Sequence, residues 1–501
     1  MNNFCCWIWM LILLVPACTR VQQTDRPVNL LFILTDEQRF DTSLPYGNQQ
    51  IQTPNLNQFA RKALVFERAY VTQPVCSPAR SSILTGLYPH QTGVSTNRIP
   101  LGEEIKTLPE YLNPGYHSAY IGKWHLGREL DAWHGFDKRI STEDGYTAKD
   151  TSRFSDYHHW LKSLGYEPNQ KRTRSFSRSF CAQLPYAHSK SKFMEERAIE
   201  FLSANKDQPF VLYLGFLEPH TPNDGPFNEV HPPADISLDS TYGWVSPPHL
   251  PLREQLIRNH DPAPRERETL QKQMAHYWGL VHQIDKSVGA ILKHLEQMGL
   301  AENTIVVFTS EHGKMMGKYG LKPKRVMYDA SARIPLMIRI PNSEWNGQTV
   351  SRPVSQIDLM PTLFELMTGD SLSDLPGQSW LSSLKRDPKP IFLEWHPNVD
   401  QLRRYPNCPD GYTEEACHMA REQKIRTIIT PDGWKLAWSA REDDISQLFY
   451  LPDDPLEARN LYFEDSLADT VAYLQQLILS WQVSVQDTVG MRGKKTHTKN
   501  K

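Results

Sequence analysis

The stretch VNLLFILTDEQR (28–39) is an apolar run over residues 28–34 that ends in Asp36 and Glu37. A strand that is apolar on both faces is buried on both faces, which is the mark of a parallel sheet covered by helices. The design recurs along the chain. NTIVVFTSEHG (303–313) has a β-branched run followed by Glu311 and His312, while PFVLYLGFLEPH (209–220) and YHSAYIGKWHLG (116–127) each close on polar groups. Helical patterns lie between them, around 56–63, around 194–202, and from about 265 to 298. Strands alternating with helices predict an α/β fold with a large, mostly parallel sheet. Ligands of such sheets bind outside the carboxyl ends of the strands. All four runs carry their polar residues there.

A Pro-rich stretch at 218–254 is too long for an ordinary connection and reads as a lid or binding wall. From about 385 the pattern changes to short strands at 424–439 and 447–455, then an amphipathic helix over 467–482. Leu467, Val471, Leu474, Ile478 and Trp481 share one face of that helix. The predicted organisation is an export signal over 1–18, a catalytic α/β domain over 27–380, a smaller C-terminal α+β domain over 381–487, and a basic tail over 488–501.

A net charge of −2 over 501 residues offers no field for nucleic acid. The apolar run from Trp7 to Ala17 is too short to cross a bilayer and reads as a cleaved export signal. VPAC, ending at Cys18, resembles a bacterial lipoprotein cleavage box, so membrane attachment would come only through a lipid on Cys18; a plain secretory signal is the alternative. Either one predicts a periplasmic or cell-surface protein. Cys408 and Cys417 lie close enough for a local disulfide in an oxidising compartment. Cys181 has no evident partner.

VCSPARSSILTG (75–86) offers Ser77 as an N-cap, Pro78 as the first helical residue and Gly86 as the stop. Cys76 would then sit just outside a helix N-terminus, which attracts anions, with the planar cation Arg80 one turn in. Read alone, this is a capped helix beside a buried thiol. The strand ends change the reading. Asp36, Glu37, Glu311, His125, His220, His312 and Lys123 together have the composition of an oxygen-rich divalent-metal site beside an anion site. That combination predicts a metal-dependent hydrolase of an anionic ester.

CSPARSSILTG, through Cys76, Pro78, Arg80, Thr85 and Gly86, resembles the signature of the type I sulfatases. NLLFILTDEQRFD, LPEYLNPGYHSAYIGKWHLG, EPHTP, TIVVFTSEHGKMMGKYGL and KRVMYDASARIPLMIRIP resemble further blocks of that family in its order. The resemblance spans roughly 28–341, and DLMPTLFELMTG and LFYLPDDPLEARNL extend it nearly to the C-terminus. It implies an alkaline-phosphatase-like sandwich. It also implies that a maturation enzyme converts Cys76 to formylglycine, whose hydrate is the nucleophile. One divalent cation, usually calcium, would be held by Asp36, Glu37, the modified Cys76, Glu311 and His312. Arg80 and Lys123 would stabilise the nucleophile and the sulfate charge, and His125 would hold the diol and take its second proton. His220 and Lys324 would flank the leaving oxygen, with His220 the better general acid and Lys322 the rival of Lys324.

Two positions depart from the family pattern. Glu37 and Glu311 stand where most relatives carry aspartate, and each is one methylene longer. The longer carboxylates favour calcium over magnesium, because calcium tolerates flexible, two-oxygen coordination. Glu37 could turn away and leave its place to water or Gln38. The expected activity is hydrolysis of a sulfate ester, most plausibly on a carbohydrate. The alternatives are a phosphonate or phosphate monoester hydrolase of the same superfamily, and a non-catalytic binder of sulfated glycans. EWHPNVDQLRRYPNCPDGY (394–412) reads equally as the wall of a sugar subsite or as a solvated loop stapled by Cys408–Cys417.

Overall fold

The computed structural model describes residues 27–143, 154–170, 175–243, 250–384, 387–397, 408–442 and 444–491. The export signal (1–18), most of the basic tail and residues 398–407 of the aromatic loop lie outside the described residues.

The apolar run that opens the chain becomes β1 (Asn29–Thr35), which lies between β5 (Phe210–Gly215) and β6 (Thr304–Ser310), parallel to both. β3 (His117–Gly122) pairs with β5, and β4 (Lys138–Ser141) follows at that edge, again parallel. Beyond β6 the direction reverses. β8 (Leu336–Arg339) is antiparallel to β6 and to β2 (Leu64–Tyr70), and β2 also carries β7 (Arg333–Ile334) and β9 (Thr349–Ser355). Nine strands form this sheet among the described residues. Its antiparallel side was not expected. LVFERAY places Glu67 and Arg68 at partly buried positions, so it shows no unbroken apolar run.

The period-2 alternation of the central strands divides their side chains between two cores. Leu30, Phe32 and Leu34 join Val211, Tyr213, Ile305 and Val307 on one face, under the helices Cys76–Thr85 and Leu359–Thr368. Leu31 and Ile33 join Leu212, Leu214, Val306 and Phe308 on the other. Helices Pro54–Ala60, Lys190–Ala204 and Arg267–Gln297 cover that second face. Burying each such side chain contributes about 1.5–3 kcal/mol, so slipping β1 by one residue would misplace all five.

A second, antiparallel sheet closes the chain: β10 (Ile391–Trp395), β11 (Ile425–Ile429), β12 (Trp434–Ser439) and β13 (Gln447–Tyr450). β10 is an addition to the predicted strands. Helix Ala468–Val485 packs Leu474 and Ile478 against Ile428, Leu436 and Leu448, and its Trp481 stacks on Phe392 with ring centroids 4.8 Å apart. Cys408 and Cys417 are disulfide-bonded, and Cys181 is a buried cysteine outside any disulfide. No described helix is long and apolar enough to cross a membrane.

The two sheets meet at a buried ion cluster. Lys435 Nζ on β12 donates to Asp329 Oδ1 and to Glu457 Oε1, each at 2.7 Å, and the Tyr70 hydroxyl donates to Asp329 Oδ2 at 3.1 Å. Removing one partner of a buried pair strands the other charges at a cost of about 3–5 kcal/mol. Lys435→Met is therefore expected to lower the urea midpoint by that amount of stability. A midpoint equal to that of the wild type would show that the cluster does not fasten the sheets together.

Candidate active site

Parallel register brings four strand ends to one level. Gly122 of β3 lies opposite Gly215 of β5, and Thr35 of β1 opposite Ser310 of β6. The residues that follow therefore emerge side by side: Lys123 and His125, Glu218 and His220, Asp36 and Glu37, Glu311 and His312. The β3–β5 approach admits no side chain. A Cβ on Gly122, whose φ is +108°, would lie 2.2 Å from the Gly215 carbonyl oxygen. This contact sets the Lys123 N–H on the Gly215 carbonyl at 2.7 Å and directs Lys123 Nζ to Asp36 Oδ2. Glu37 and His125 both take left-handed backbone, at φ 64° and 67°. Such conformations cost free energy in residues other than glycine and cluster at functional sites.

The helix that carries the cysteine differs at its start from the sequence expectation. It runs Cys76–Thr85 with Val75 as N-cap, so Cys76 is its first residue and Ser77 caps nothing. Tertiary partners take Ser77 instead: its hydroxyl donates to the His125 carbonyl at 2.7 Å, and its N–H donates to Asn97 Oδ1 at 3.0 Å. Gly86, in left-handed conformation, ends the helix as expected. All ten residues of the helix are buried, and Cys76 is 1 % exposed.

Around Cys76 the predicted residues converge. Its Sγ lies 3.4 Å from His312 Nε2 and 3.4 Å from Lys324 Nζ, and it is also hydrogen-bonded to His125. Arg80 reaches Glu311 Oε2 through Nε and the Tyr120 hydroxyl through Nη1 at 3.0 Å. The choice between the two lysines is decided by orientation: Lys322 pairs with Asp261 at 3.3 Å, while Lys324 turns inward to Glu37 Oε1.

Glu37 does not join the carboxylates that surround the cysteine. Its Oε1 takes Lys324 and lies 3.2 Å from His220 Nε2, and its Oε2 lies 2.8 Å from Lys314 Nζ. Lys314 is a buried member of the site that the sequence reading missed. Its only local signal is its place two residues after His312.

Four buried cations (Arg80, Lys123, Lys314 and Lys324) thus face three buried carboxylates (Asp36, Glu37 and Glu311). Burial alone would raise the Cys76 thiol, but Lys123 and Lys324 outweigh it and hold the thiol well below its usual range. Burial likewise opposes ionisation of Glu37, yet His220, Lys314 and Lys324 hold its carboxyl well below the ordinary carboxylate range. Burial and Lys324 both act to lower His312; Glu311 and Cys76 prevail, raising it to about 9. Burial pulls His220 down to about 4 despite Glu37. The surplus of positive charge makes this a site for an anion.

The cluster also fits a cation. Ligand atoms of Asp36, Cys76, Glu311 and His312 all lie within 4.8 Å of one another. Asp36 Oδ1 is buried without a hydrogen-bond partner, and Glu311 Oε1 has only the ion pair with His312 Nε2 at 3.0 Å. Orphaned buried carboxylate oxygens are costly unless something coordinates them. Asp36, Glu37 and His220 form a second, adjoining group of the same kind.

A model of the sulfatase family matches residues 28–369, and a model of the C-terminal part of N-sulphoglucosamine sulphohydrolase matches residues 317–484. The chain is 29% identical to an uncharacterised sulfatase of Escherichia coli (strain K12), with 92% of this chain and 88% of that protein covered. It is 25% identical to an N-acetylglucosamine-6-O-sulfatase of Bacteroides thetaiotaomicron, covering 93% and 88%. Among solved structures, the phosphonate monoester hydrolase of Agrobacterium radiobacter superposes with a TM-score of 0.74 at 22% identity, over 92% of this chain and 96% of that one.

Proposed function

The chain belongs to the sulfatase family and is a sulfuric ester hydrolase, and from that premise we infer that it removes sulfate from saccharides at Cys76, matured to formylglycine, beside a bound calcium ion. The observation that carries this reading is the placement of Cys76 Sγ 3.4 Å from both Lys324 Nζ and His312 Nε2 and within 4.8 Å of ligand atoms of Asp36 and Glu311. Asp36, Glu311 and His312 would hold the cation together with the modified Cys76, while Glu37 already faces Lys314, Lys324 and His220. When present, formylglycine supplies a hydrated nucleophile and calcium supplies Lewis acidity.

The residues themselves account for the rest. Lys123 and Lys324 keep position 76 anionic, and together with Arg80 they offset the charge of a bound sulfate. His125, hydrogen-bonded to Cys76, is placed to take a proton from the nucleophile. His220 faces Glu37 through Nε2 and the Thr221 carbonyl through Nδ1 at 2.8 Å. Burial, which pulls this histidine down to about 4, makes the charged ring the minor form at neutral pH; when protonated it satisfies both contacts and can give a proton to a leaving oxygen. Because Cys76 is buried in a closed helix, the maturing enzyme has to act before this helix packs.

His220→Ala is expected to slow sulfate release from saccharides, which leave as poor alkoxides, by about 10²–10⁴-fold. Release from an activated aryl sulfate should fall far less. Parallel rates on the two substrate classes measure this, and equal losses would make His220 a binding residue.

The carbohydrate assignment draws support from the N-acetylglucosamine-6-O-sulfatase relative. Matured protein screened against defined sulfated saccharides, with aryl phosphate and phosphonate esters in parallel, tests it. Faster turnover of the phosphorus esters would overturn the sulfate reading. Binding of sulfated glycans without turnover, by protein that carries formylglycine, would leave a binder. The Cys408–Cys417 disulfide suits an oxidising compartment and supports export to the periplasm or cell surface.

A further inference from the structure

His220 borders a second space. Its far side opens on a recess lined by Arg178, Lys190, Glu218, His220, Asp224 and Gln283. Resting on the sulfatase reading, we propose that this recess is the subsite for the sugar that carries the reacting ester, and that Arg178 there reads a second acidic group, a carboxylate or another sulfate, on that sugar.

Position is the first argument. His220 Nε2 faces Glu37 on the catalytic side, and Nδ1 lies 3.4 Å from Arg178 Nη1 on the other. A leaving oxygen protonated by His220 has the remainder of its sugar within reach of the recess.

Charge is the second. Arg178 donates to Glu143 Oε2 through Nε at 2.8 Å and Nη2 at 2.5 Å, and Lys190 pairs with Glu143 Oε1. Two cations share one carboxylate. Glu143 holds the guanidinium in a fixed orientation while the Arg178 side chain keeps 31% exposure. A planar cation anchored in this way is suited to carboxylate and sulfate alike, because it meets two oxygens at once.

The third argument is polar and uncharged. Glu218 and Gln283 are buried, and the Gln283 amide donates to Ser191 Oγ at 2.7 Å and to Glu218 Oε1 at 3.3 Å. This leaves Glu218 Oε2 and Gln283 Oε1 without hydrogen-bond partners. Buried acceptors of this kind are ordinarily satisfied. Sugar hydroxyls are donors of the right kind. Acceptors for hydroxyls beside an anchored cation describe an acidic sugar.

The test compares sulfate release from a monosulfated neutral hexose, a monosulfated hexuronic acid and a disulfated hexose, by matured wild-type, Arg178→Lys and Arg178→Gln proteins. The wild type is expected to favour one or both acid-bearing substrates over the neutral one. Arg178→Gln should reduce that ratio of kcat/KM by about 10- to 100-fold, the size of a lost hydrogen bond to a charged group, mainly through KM. Arg178→Lys should keep part of the ratio. Preference for the uronic acid or for the disulfated sugar identifies the group that is read. Calorimetry with unsulfated hexuronate and neutral hexose on the same proteins reads the recess independently of turnover. Hexuronate binding weakened about tenfold or more by Arg178→Gln supports the proposal even if no ester is hydrolysed, an outcome that would sink the sulfatase reading alone. A wild type without any acid preference, or a loss in Arg178→Gln equal for all three esters and accompanied by a shifted pH profile, would overturn the proposal and make Arg178 a support for His220.

Discussion

Cys76→Ser protein, expressed in a host whose maturing enzyme accepts only cysteine, is expected to hydrolyse an aryl sulfate about 10⁶-fold more slowly than the wild type, as when other hydrolases lose their nucleophile. The side chain at 76 is 1 % exposed and touches two cationic groups, Lys324 and His312, at 3.4 Å. A serine hydroxyl fills that space with little change in packing, so thermal stability should stay close to that of the wild type and the loss would be chemical. The same experiment bears on maturation. Peptide mass spectrometry of the segment Ala69–Arg80 from active wild-type protein should find the thiol replaced by an aldehyde or its hydrate. Full activity with wholly unmodified Cys76 would refute the nucleophile assigned here.

Calcium removal is expected to be nearly as damaging. Without a cation, Asp36 Oδ1 is a buried acceptor without a hydrogen-bond partner, and Glu311 Oε1 has only the ion pair with His312 Nε2 at 3.0 Å. Purified protein should carry one calcium per chain, and chelation should abolish activity and lower the melting temperature. Calcium should restore both better than magnesium, whose tighter octahedron suits the long Glu311 carboxylate poorly. A ligand at a hundredfold its Kd stabilises a fold by about 2.7 kcal/mol, so the melting shift registers the ion whether or not the enzyme turns over. Glu311→Ala should lose both calcium and activity. Glu311→Gln, which keeps the shape and a hydrogen-bond acceptor for Arg80, separates ion loss from local collapse. Glu37→Gln should retain calcium while losing activity, because Glu37 gathers Lys314, Lys324 and His220. Full activity of metal-free protein would sink the calcium site. Calcium retained by Glu311→Ala would remove that residue from the ligand set, and calcium lost from Glu37→Gln would return Glu37 to it.

The central strands were legible because burial on both faces is written in consecutive residues: LLFIL has no polar side chain, and nothing distant is needed to read it as β1. Parallel order then aligned four polar ends at one edge, which is why Asp36, Lys123, His125, His220, Glu311 and His312 could be named together. The motif around Cys76 identified the chemistry, and Gly86 identified the end of its helix. What stayed hidden was orientation. Ser77 has the residue type of a cap, but the carbonyl of His125, 48 positions on, takes its hydroxyl. Lys322 and Lys324 are equivalent in sequence, and only the path of their loop sends one to Asp261 and the other to the cysteine. Glu37 has the residue type of a metal ligand, yet its carboxylate is claimed by a lysine 287 residues away and by Lys314, which no motif marked. Local sequence determined the strands, the helix stop and the set of reactive groups, because those depend on neighbouring residues and backbone propensity. Which cation each buried carboxylate faces, and where Arg178 stands relative to His220, was decided only by the tertiary structure, since a buried charge takes its partner from whatever segment the fold packs against it.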